Sequence, residues 1–192
     1  MSMPQKPPLS LTRRALLALA AACPPAAWAQ SPDRARDTLV KAAFLHKFPT
    51  FVEWPQGTFG PDTPLRIGVL GDEQVWRDLR DLALDRERDG RPVSAVRLTA
   101  GDSFAGLHIV YIKAPARRIA EILAQVPDGV LTVADTDGSH PSGAVISFLP
   151  EDGRVRFGAS PEAAARQKLR LSSRLLSVAR SVSTWSTPAA LS

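Results

Sequence analysis

The sequence predicts an α/β fold, built on a mostly parallel mixed sheet of about five to six strands with helices on both faces. Short β-rich runs alternate with helical segments along the chain, an order that is typical of parallel sheets covered by helices. Residues 108–112 and 130–133 are almost continuously apolar, as strands buried on both faces are. Two late β-rich runs are joined by an Asp-Gly turn, which predicts a terminal β-hairpin, and a long C-terminal helix is expected after it.

The first helix is expected to begin at Pro32, with Ser31 as its N-cap. Apolar residues then recur at helical spacing, at Val40, Phe44, Phe48 and Phe51. Pro49 falls inside this pattern and predicts a kink or a break, because proline lacks the N–H that a helix interior needs. The segment should end at Trp54, since the residue before a proline is disfavoured in helices.

Six β-rich runs are predicted to be strands, at residues 65–70, 93–98, 108–112, 130–133, 143–149 and 154–157. Asp72 follows the first of them and can cap a helix. A further helix is expected over residues 116–126, between the third and fourth strands. This alternation of strands and helices is the basis of the predicted parallel sheet.

The long C-terminal helix is expected to begin at Ser160 and Pro161, a cap followed by a first-turn proline. Its apolar residues follow helical spacing and form one broad face: Leu171, Leu175, Val178, Val182 and Trp185, with Ala165, Leu169, Leu176 and Ala179 beside them. Arg166, Arg170 and Arg174 fall on the opposite side. The apolar face predicts packing against the sheet, and the arginines predict a basic strip in water.

Four residues of this segment are candidates for contact with a partner. Val182 and Trp185 continue the apolar face into a polar tail. There they either close the core or form an exposed anchor, a role in which tryptophan is enriched. Arg170 and Arg174 either face solvent only or meet acidic lipid or a partner.

Residues 1–29 are typical of a secretory signal peptide with cleavage between Ala29 and Gln30. A pair of arginines precedes a short apolar run, and the closing Ala-Trp-Ala has the small-x-small pattern that a signal peptidase requires. The arginines also fit twin-arginine export, and the alanines before Cys23 leave lipid attachment there as an alternative. The predicted organisation is a signal peptide at 1–29, one α/β domain at 30–182 and a polar tail at 183–192.

The composition of the chain excludes some classes of function. Among the 192 residues, 44% are apolar and 22% charged, as in a globular protein with one core. Removing residues 1–29 takes away three of the 24 basic residues, none of the 19 acidic ones and the single cysteine. The net charge of +2 that remains gives little reason to bind nucleic acid, and no thiol chemistry is left. No later stretch of the sequence is long enough to span a membrane.

The sequence predicts no catalytic set, no metal site and no cofactor. The spacing between the three histidines does not fit a metal site, since no two of His46, His108 and His140 lie at the separation typical of metal ligands. Ser172 and Ser173 lie within a predicted helix, not at the strand-to-helix turn of a hydrolase nucleophile. An exported hydrolase is therefore the weakest of the function classes considered.

Two stretches resemble motifs of the YfiR family. Residues 42–55 resemble its opening signature, at Phe44, Phe48, Trp54 and Pro55. Residues 169–176 resemble a later motif, at Leu171, Ser172, Ser173, Leu175 and Leu176. The similarity continues in order over residues 36–182, which is nearly the whole of the predicted domain.

The resemblance implies a periplasmic α/β protein without enzymatic activity. Such a protein binds the periplasmic part of a membrane-bound signalling protein, such as a diguanylate cyclase, and lowers its activity. The resemblance also implies that a homodimer can form. The alternative is a periplasmic small-ligand-binding or sensor protein, with its ligand at the carboxyl ends of the strands near Gly71, Asp72 and Asp135.

Overall fold

The computed structural model describes residues 32–60, 62–85, 91–136, 143–151 and 153–182. Five helices lie in this part of the chain: α1 (Pro32–Lys47), α2 (Glu73–Asp85), α3 (Ala116–Leu123), α4 (Pro161–Arg166) and α5 (Ser173–Val178). Its strands are β1 (Val52–Glu53), β2 (Leu65–Leu70), β3 (Val93–Leu98), β4 (Ile109–Lys113), β5 (Leu131–Asp135), β6 (Ile146–Glu151), β7 (Arg154–Ala159), β8 (Arg170–Leu171) and β9 (Ser181–Val182). The predicted signal peptide with its cleavage site and Cys23, and the tail at 183–192 with Trp185, lie outside the described residues.

Seven strands form the main sheet in the order β3-β2-β4-β5-β6-β7-β9, while β1 and β8 form a separate antiparallel pair. All neighbours from β3 to β6 are parallel, and β6 and β7 form the antiparallel hairpin. The mostly parallel mixed sheet and its hairpin are therefore confirmed. The sheet has one strand more than predicted, because β9 comes from a stretch that was assigned to a helix.

Helices cover both faces of the sheet, as predicted. Side chains of β4 alternate between two cores, as they must in a strand. Ile109 and Tyr111 belong to the core that also contains side chains of α1 and α2. Val110 and Ile112 belong to the second core, under Ile119 of α3. The continuous apolar run of β4 is thus explained by burial on both sides.

The break predicted at Pro49 is confirmed. The α-helix ends at Lys47 and continues as a 3-10 helix over Phe48–Phe51. Proline fits the first turn of that short helix, where its missing N–H breaks no bond. The helical segment therefore ends before Trp54, and β1 begins at Val52.

Aromatic rings fix the end of α1 onto the hairpin. The rings of Phe44 and Phe48 stack with centroids 5.8 Å apart. Phe48 meets Phe157 of β7 edge-to-face at 5.3 Å and lies 6.1 Å from Phe148 of β6. Pairs of this kind contribute about 0.5–1.5 kcal/mol each beyond their burial.

The prediction of one long C-terminal helix is wrong. Helix α4 ends at Arg166, and Lys168 adopts a left-handed conformation with φ 57°. The chain then becomes extended as β8, in which Leu171 pairs with Val52 of β1. Ser172 starts a new helix, since its Oγ accepts a hydrogen bond from the Leu175 N–H at 3.3 Å. Two N-caps and a partner strand therefore override the helical spacing of the apolar residues.

The broad apolar face predicted for that helix is likewise not formed. Leu169 and Leu175 are buried, but they belong to separate elements. Val178, which was expected to pack against the sheet, is 69% exposed, and Val182, for which both burial and exposure were open, is 52% exposed. None of the helices in the part of the chain that the structure describes is long and apolar enough to cross a bilayer.

Candidate functional site

The carboxyl ends of three neighbouring parallel strands carry charged side chains. Asp72 follows β2, Lys113 ends β4 and Asp135 ends β5, directly opposite Lys113 in the register. The Lys113 Nζ lies 2.7 Å from the Asp72 Oδ2. The two aspartates predicted for a ligand site thus stand at the same edge of the sheet, but they line different cavities. Sequence reasoning missed Lys113, although a charged residue that closes an apolar strand is a detectable signal.

Gly71 allows the ends of β2 and β4 to approach. Its φ of +87° lies in the left-handed region, and a Cβ at this position would overlap the backbone carbonyl oxygen of Lys113. Asp72 then caps α2 as predicted, because its Oδ1 accepts the N–H groups of Gln74 at 3.1 Å and Val75 at 3.2 Å. The Asp72 carboxylate therefore caps α2 and also forms an ion pair with a lysine of the neighbouring strand.

Asp135 is a buried carboxylate, 5% exposed, with two donors on one oxygen. The Lys41 Nζ of α1 donates to its Oδ2 at 2.7 Å, and the Tyr111 hydroxyl donates to the same atom. Burial, and then the nearby charge of Asp135, raise the pKa of Tyr111. The phenol therefore stays protonated and remains a hydrogen-bond donor at neutral pH.

A cleft of about 380 Å³ opens between α1, the ends of β4 and β5, and the β6–β7 hairpin, and we call it the carboxyl-edge cleft. Arg34, Asp37 and Lys41 line it from a single face of α1, at positions i, i+3 and i+7. Lys113 and Arg154 line it from the sheet side. Its charged lining thus comes from elements that are far apart in the chain.

A second cavity of about 320 Å³ lies at the opposite, amino end of the strands, beside Trp54, Phe59 and Arg91. The indole Nε1 of Trp54 donates to the Gly129 carbonyl at 2.9 Å, and the Arg91 guanidinium lies 4.7 Å from the centre of the Phe59 ring. These side chains are already held by contacts within the protein. This cavity is consistent with a packing role for Trp54.

His108 is buried beside that cavity and stacks on Phe59, with ring centroids 4.5 Å apart. Its Nδ1 accepts the backbone N–H of Arg66 at 3.1 Å. Burial, followed by the charges of Arg66 and Arg91, lowers the pKa of His108. His46 is also buried, in α1, and His140 lies outside the described residues. Within the described ranges, no cluster of three or more His, Cys, Asp or Glu could hold a metal ion.

The residues predicted to contact a partner lie on three elements instead of one helix. Arg170 is in β8, Arg174 is in α5 and Val182 is in β9. With Val178 at the end of α5, we call them the C-terminal surface. Val178 was missed as a candidate because its spacing indicated a buried position, whereas the end of α5 leaves it exposed.

The charges of the C-terminal surface are weakly held. Arg170 lies 3.9 Å from Glu53, with both side chains more than two-thirds exposed, so this ion pair contributes little. Arg174 is exposed and forms no ion pair with any described residue. Both guanidinium groups are therefore available to a partner.

The remaining motif residues have packing and capping roles. Phe44 packs in the aromatic cluster, Leu175 is buried, and Leu171 and Leu176 are half-buried. Ser172 caps α5, and Ser173 is its first residue. The two motifs thus maintain the fold around β1 and β8.

Comparison with known proteins gives one match. A family model described as YfiR/HmsC-like matches residues 38–180. This range runs from the first half of α1 to the residue before β9. None of the curated proteins matches the chain.

Proposed function

Since this chain belongs to the YfiR/HmsC-like family, we propose that it is a regulator and not an enzyme. It binds the periplasmic part of a membrane-bound signalling protein, a diguanylate cyclase in our proposal, and lowers its activity. The observation that carries the proposal is the family match over residues 38–180. The match covers nearly all of the helices and strands of the domain.

The C-terminal surface is the contact that we propose for the partner. Val178 and Val182 expose apolar side chains, and Arg170 and Arg174 add positive charge. Apolar anchors beside arginines are typical of protein interfaces, and the charges favour a partner with acidic side chains. Trp185 follows three residues after Val182 and is proposed as part of the same contact.

Regulation through such a contact requires only a difference in affinity. A protein that binds the inactive state of its partner more tightly than the active state shifts the partner toward inactivity. A tenfold preference corresponds to about 1.4 kcal/mol. No reaction needs to occur on the regulator.

The proposed location is the periplasm, after cleavage between Ala29 and Gln30. Sequencing the N-terminus of the protein from a periplasmic extract tests this. A mature chain that begins at Gln30 supports the proposal, and a lipid-modified Cys23 would instead place the protein on a membrane.

The function is tested in a strain that lacks the gene, by measuring cyclic di-GMP. We expect the level to rise on deletion and to return to normal when the wild-type gene is restored. A Val178→Asp, Val182→Asp double variant should fail to restore it, because the new carboxylates oppose an apolar contact.

The matched control is Leu84→Asp, since Leu84 is an exposed apolar residue of α2 outside the C-terminal surface. This variant should restore the wild-type level. An unchanged cyclic di-GMP level on deletion, with expression confirmed, contradicts the proposed regulation. Full restoration by the double variant contradicts the proposed surface alone. The mass of the same proteins in solution, measured by light scattering, tests whether the chain forms the homodimer that the family resemblance implies.

A further inference from the structure

We propose that the carboxyl-edge cleft binds a small organic anion, a carboxylate or phosphate ester carried on an apolar ring or chain. This site is separate from the partner contact proposed above. Binding of a partner at the C-terminal surface does not require an anion in the cleft. The partner contact and the anion site therefore have separate tests.

The size of the cleft limits the ligand. Its volume of about 380 Å³ lies at the lower end of the range for small-molecule sites, which begins at about 300 Å³. A single ring with one charged substituent fits this volume, whereas a dinucleotide does not. The cleft lies outside the carboxyl ends of β4 and β5, beside the point between β2 and β4 where the strand order reverses and where open α/β sheets usually bind their ligands.

The charge of the lining selects an anion. Four cations, Arg34, Lys41, Lys113 and Arg154, face two carboxylates, Asp37 and Asp135. Asp135 is already occupied by the Lys41 ammonium and the Tyr111 hydroxyl. Lys113 is likewise paired with Asp72. The net positive charge that remains for a ligand therefore comes from Arg34 and Arg154, with Asp37 as the one carboxylate of the lining that pairs with no described residue.

Two of these cations are not used inside the described part of the protein. Neither Arg34 nor Arg154 forms an ion pair with a described residue, and both are exposed. They come from opposite sides, since Arg34 lies in α1 and Arg154 begins β7. Guanidinium groups bind carboxylates and phosphates through paired hydrogen bonds, which suits them to hold the charged end of the ligand.

The cleft also has an apolar side. The hairpin lines it with three accessible side chains, Leu149, Pro150 and Val155, over the buried Phe148. This surface can cover a ring or a short hydrocarbon chain once the charged end is held. An inorganic ion alone would leave this surface uncovered, so an anion with an apolar body should bind more tightly.

The test is calorimetric titration of the purified protein with phenyl phosphate and with phenylacetate. Inorganic phosphate, benzyl alcohol and benzylamine are titrated in parallel, to separate the charge from the ring. We expect saturable binding of at least one of the two aromatic anions. Inorganic phosphate should bind at least about tenfold more weakly than the phosphate ester, and benzylamine should not bind. The two aromatic anions distinguish a phosphate ligand from a carboxylate ligand.

The variants Arg34→Ala and Arg154→Ala locate the site. Each should weaken binding about tenfold or more, because each removes a charge-assisted hydrogen bond. The matched control is Arg36→Ala, since Arg36 is exposed on the same helix but does not line the cleft. Its affinity should equal that of the wild type. Thermal unfolding of all three variants shows whether the fold is kept. We expect the fold to be kept, because all three arginines are exposed.

Three outcomes overturn the inference. The first is the absence of saturable binding by both aromatic anions. The second is binding of benzylamine with the same affinity as the aromatic anions, which would show that the charge of the lining does not select anions. The third is wild-type affinity in both Arg34→Ala and Arg154→Ala, which would place any bound anion elsewhere on the protein.

Discussion

The ion pair between Lys113 and Asp72 joins the ends of β4 and β2, which are neighbours in the sheet but are separated by β3 in the sequence. The Lys113 Nζ lies 2.7 Å from the Asp72 Oδ2, although β3 stands between β2 and β4 in sequence. The chain passes from β2 to β3 on one side and returns to β4 on the other. This ion pair therefore marks the point where the strand order reverses, which is where α/β sheets form their ligand crevices.

Replacing Lys41 with methionine should destabilise the protein by about 3 kcal/mol, because it leaves the buried Asp135 without its cation. Urea unfolding followed by circular dichroism measures the change. The control Lys47→Met alters an exposed lysine of the same helix and should change the free energy of unfolding by less than about 0.5 kcal/mol. Equal stability of the two variants would show that Asp135 does not depend on Lys41.

Replacing Gly71 with alanine should destabilise the protein by about 2 kcal/mol or more, because the new Cβ meets the Lys113 carbonyl oxygen in a left-handed backbone. Gly129→Ala is the control. Gly129 has a φ of +82° but has no atom within 4 Å of a Cβ, so only the backbone strain of about 1 kcal/mol applies. A thermal shift no larger for Gly71→Ala than for Gly129→Ala would contradict the close approach of β2 and β4.

Replacing Ser172 with alanine should cost about 1 kcal/mol, because the N-cap of α5 is lost. Ser173→Ala is the control, since Ser173 is exposed within α5 and alanine favours helices. Hydrogen exchange should show faster exchange of α5 amides in the first variant only. If Ser172→Ala instead slowed exchange over residues 166–178, the chain would form the single long helix.

The stability of the protein should fall as the pH is lowered from about 7.5 to about 5, in part because of His108. The pKa of His108 is lowered in the folded protein, so the unfolded chain binds a proton at a higher pH than the folded chain does. The stability is therefore present above the ordinary histidine pKa and is lost as the pH falls through the lowered pKa.

His108→Asn tests this pH dependence, because the amide oxygen can still accept the Arg66 N–H and the side chain does not titrate. The midpoint of urea unfolding should drop less between the two pH values in the variant than in the wild type. An identical drop in both proteins would assign the pH dependence to other groups.

The central sheet could be predicted because each strand carries its own signal. β2 and β3 have the predicted bounds, and β4 begins one residue later than expected. The C-terminal third could not be predicted in the same way. Leu171, Leu175 and Val178 keep helical spacing, but the backbone of Leu171 bonds to β1, which lies far away in the sequence. Local periodicity contains no information about such a partner strand.

The candidate site shows the same division. Asp72 and Asp135 were predicted because both follow apolar strands, and the parallel arrangement places both at one edge of the sheet, where Asp135 alone lines the carboxyl-edge cleft. The arginines of the cleft were not predicted, because Arg34 and Arg154 have no local pattern that distinguishes them from other surface arginines. Only the packing of α1 over the hairpin gives them a common position.

The pairing of Val52 with Leu171 has a consequence for the order of folding. Val52 lies near the start of the domain and Leu171 near its end, so β1 has no partner strand until almost the entire domain is present. A chain that ended before Leu171 would lack that partner altogether. Contacts between positions so far apart in the sequence slow folding, so the pairing of β1 with β8 should be among the last steps by which the domain forms.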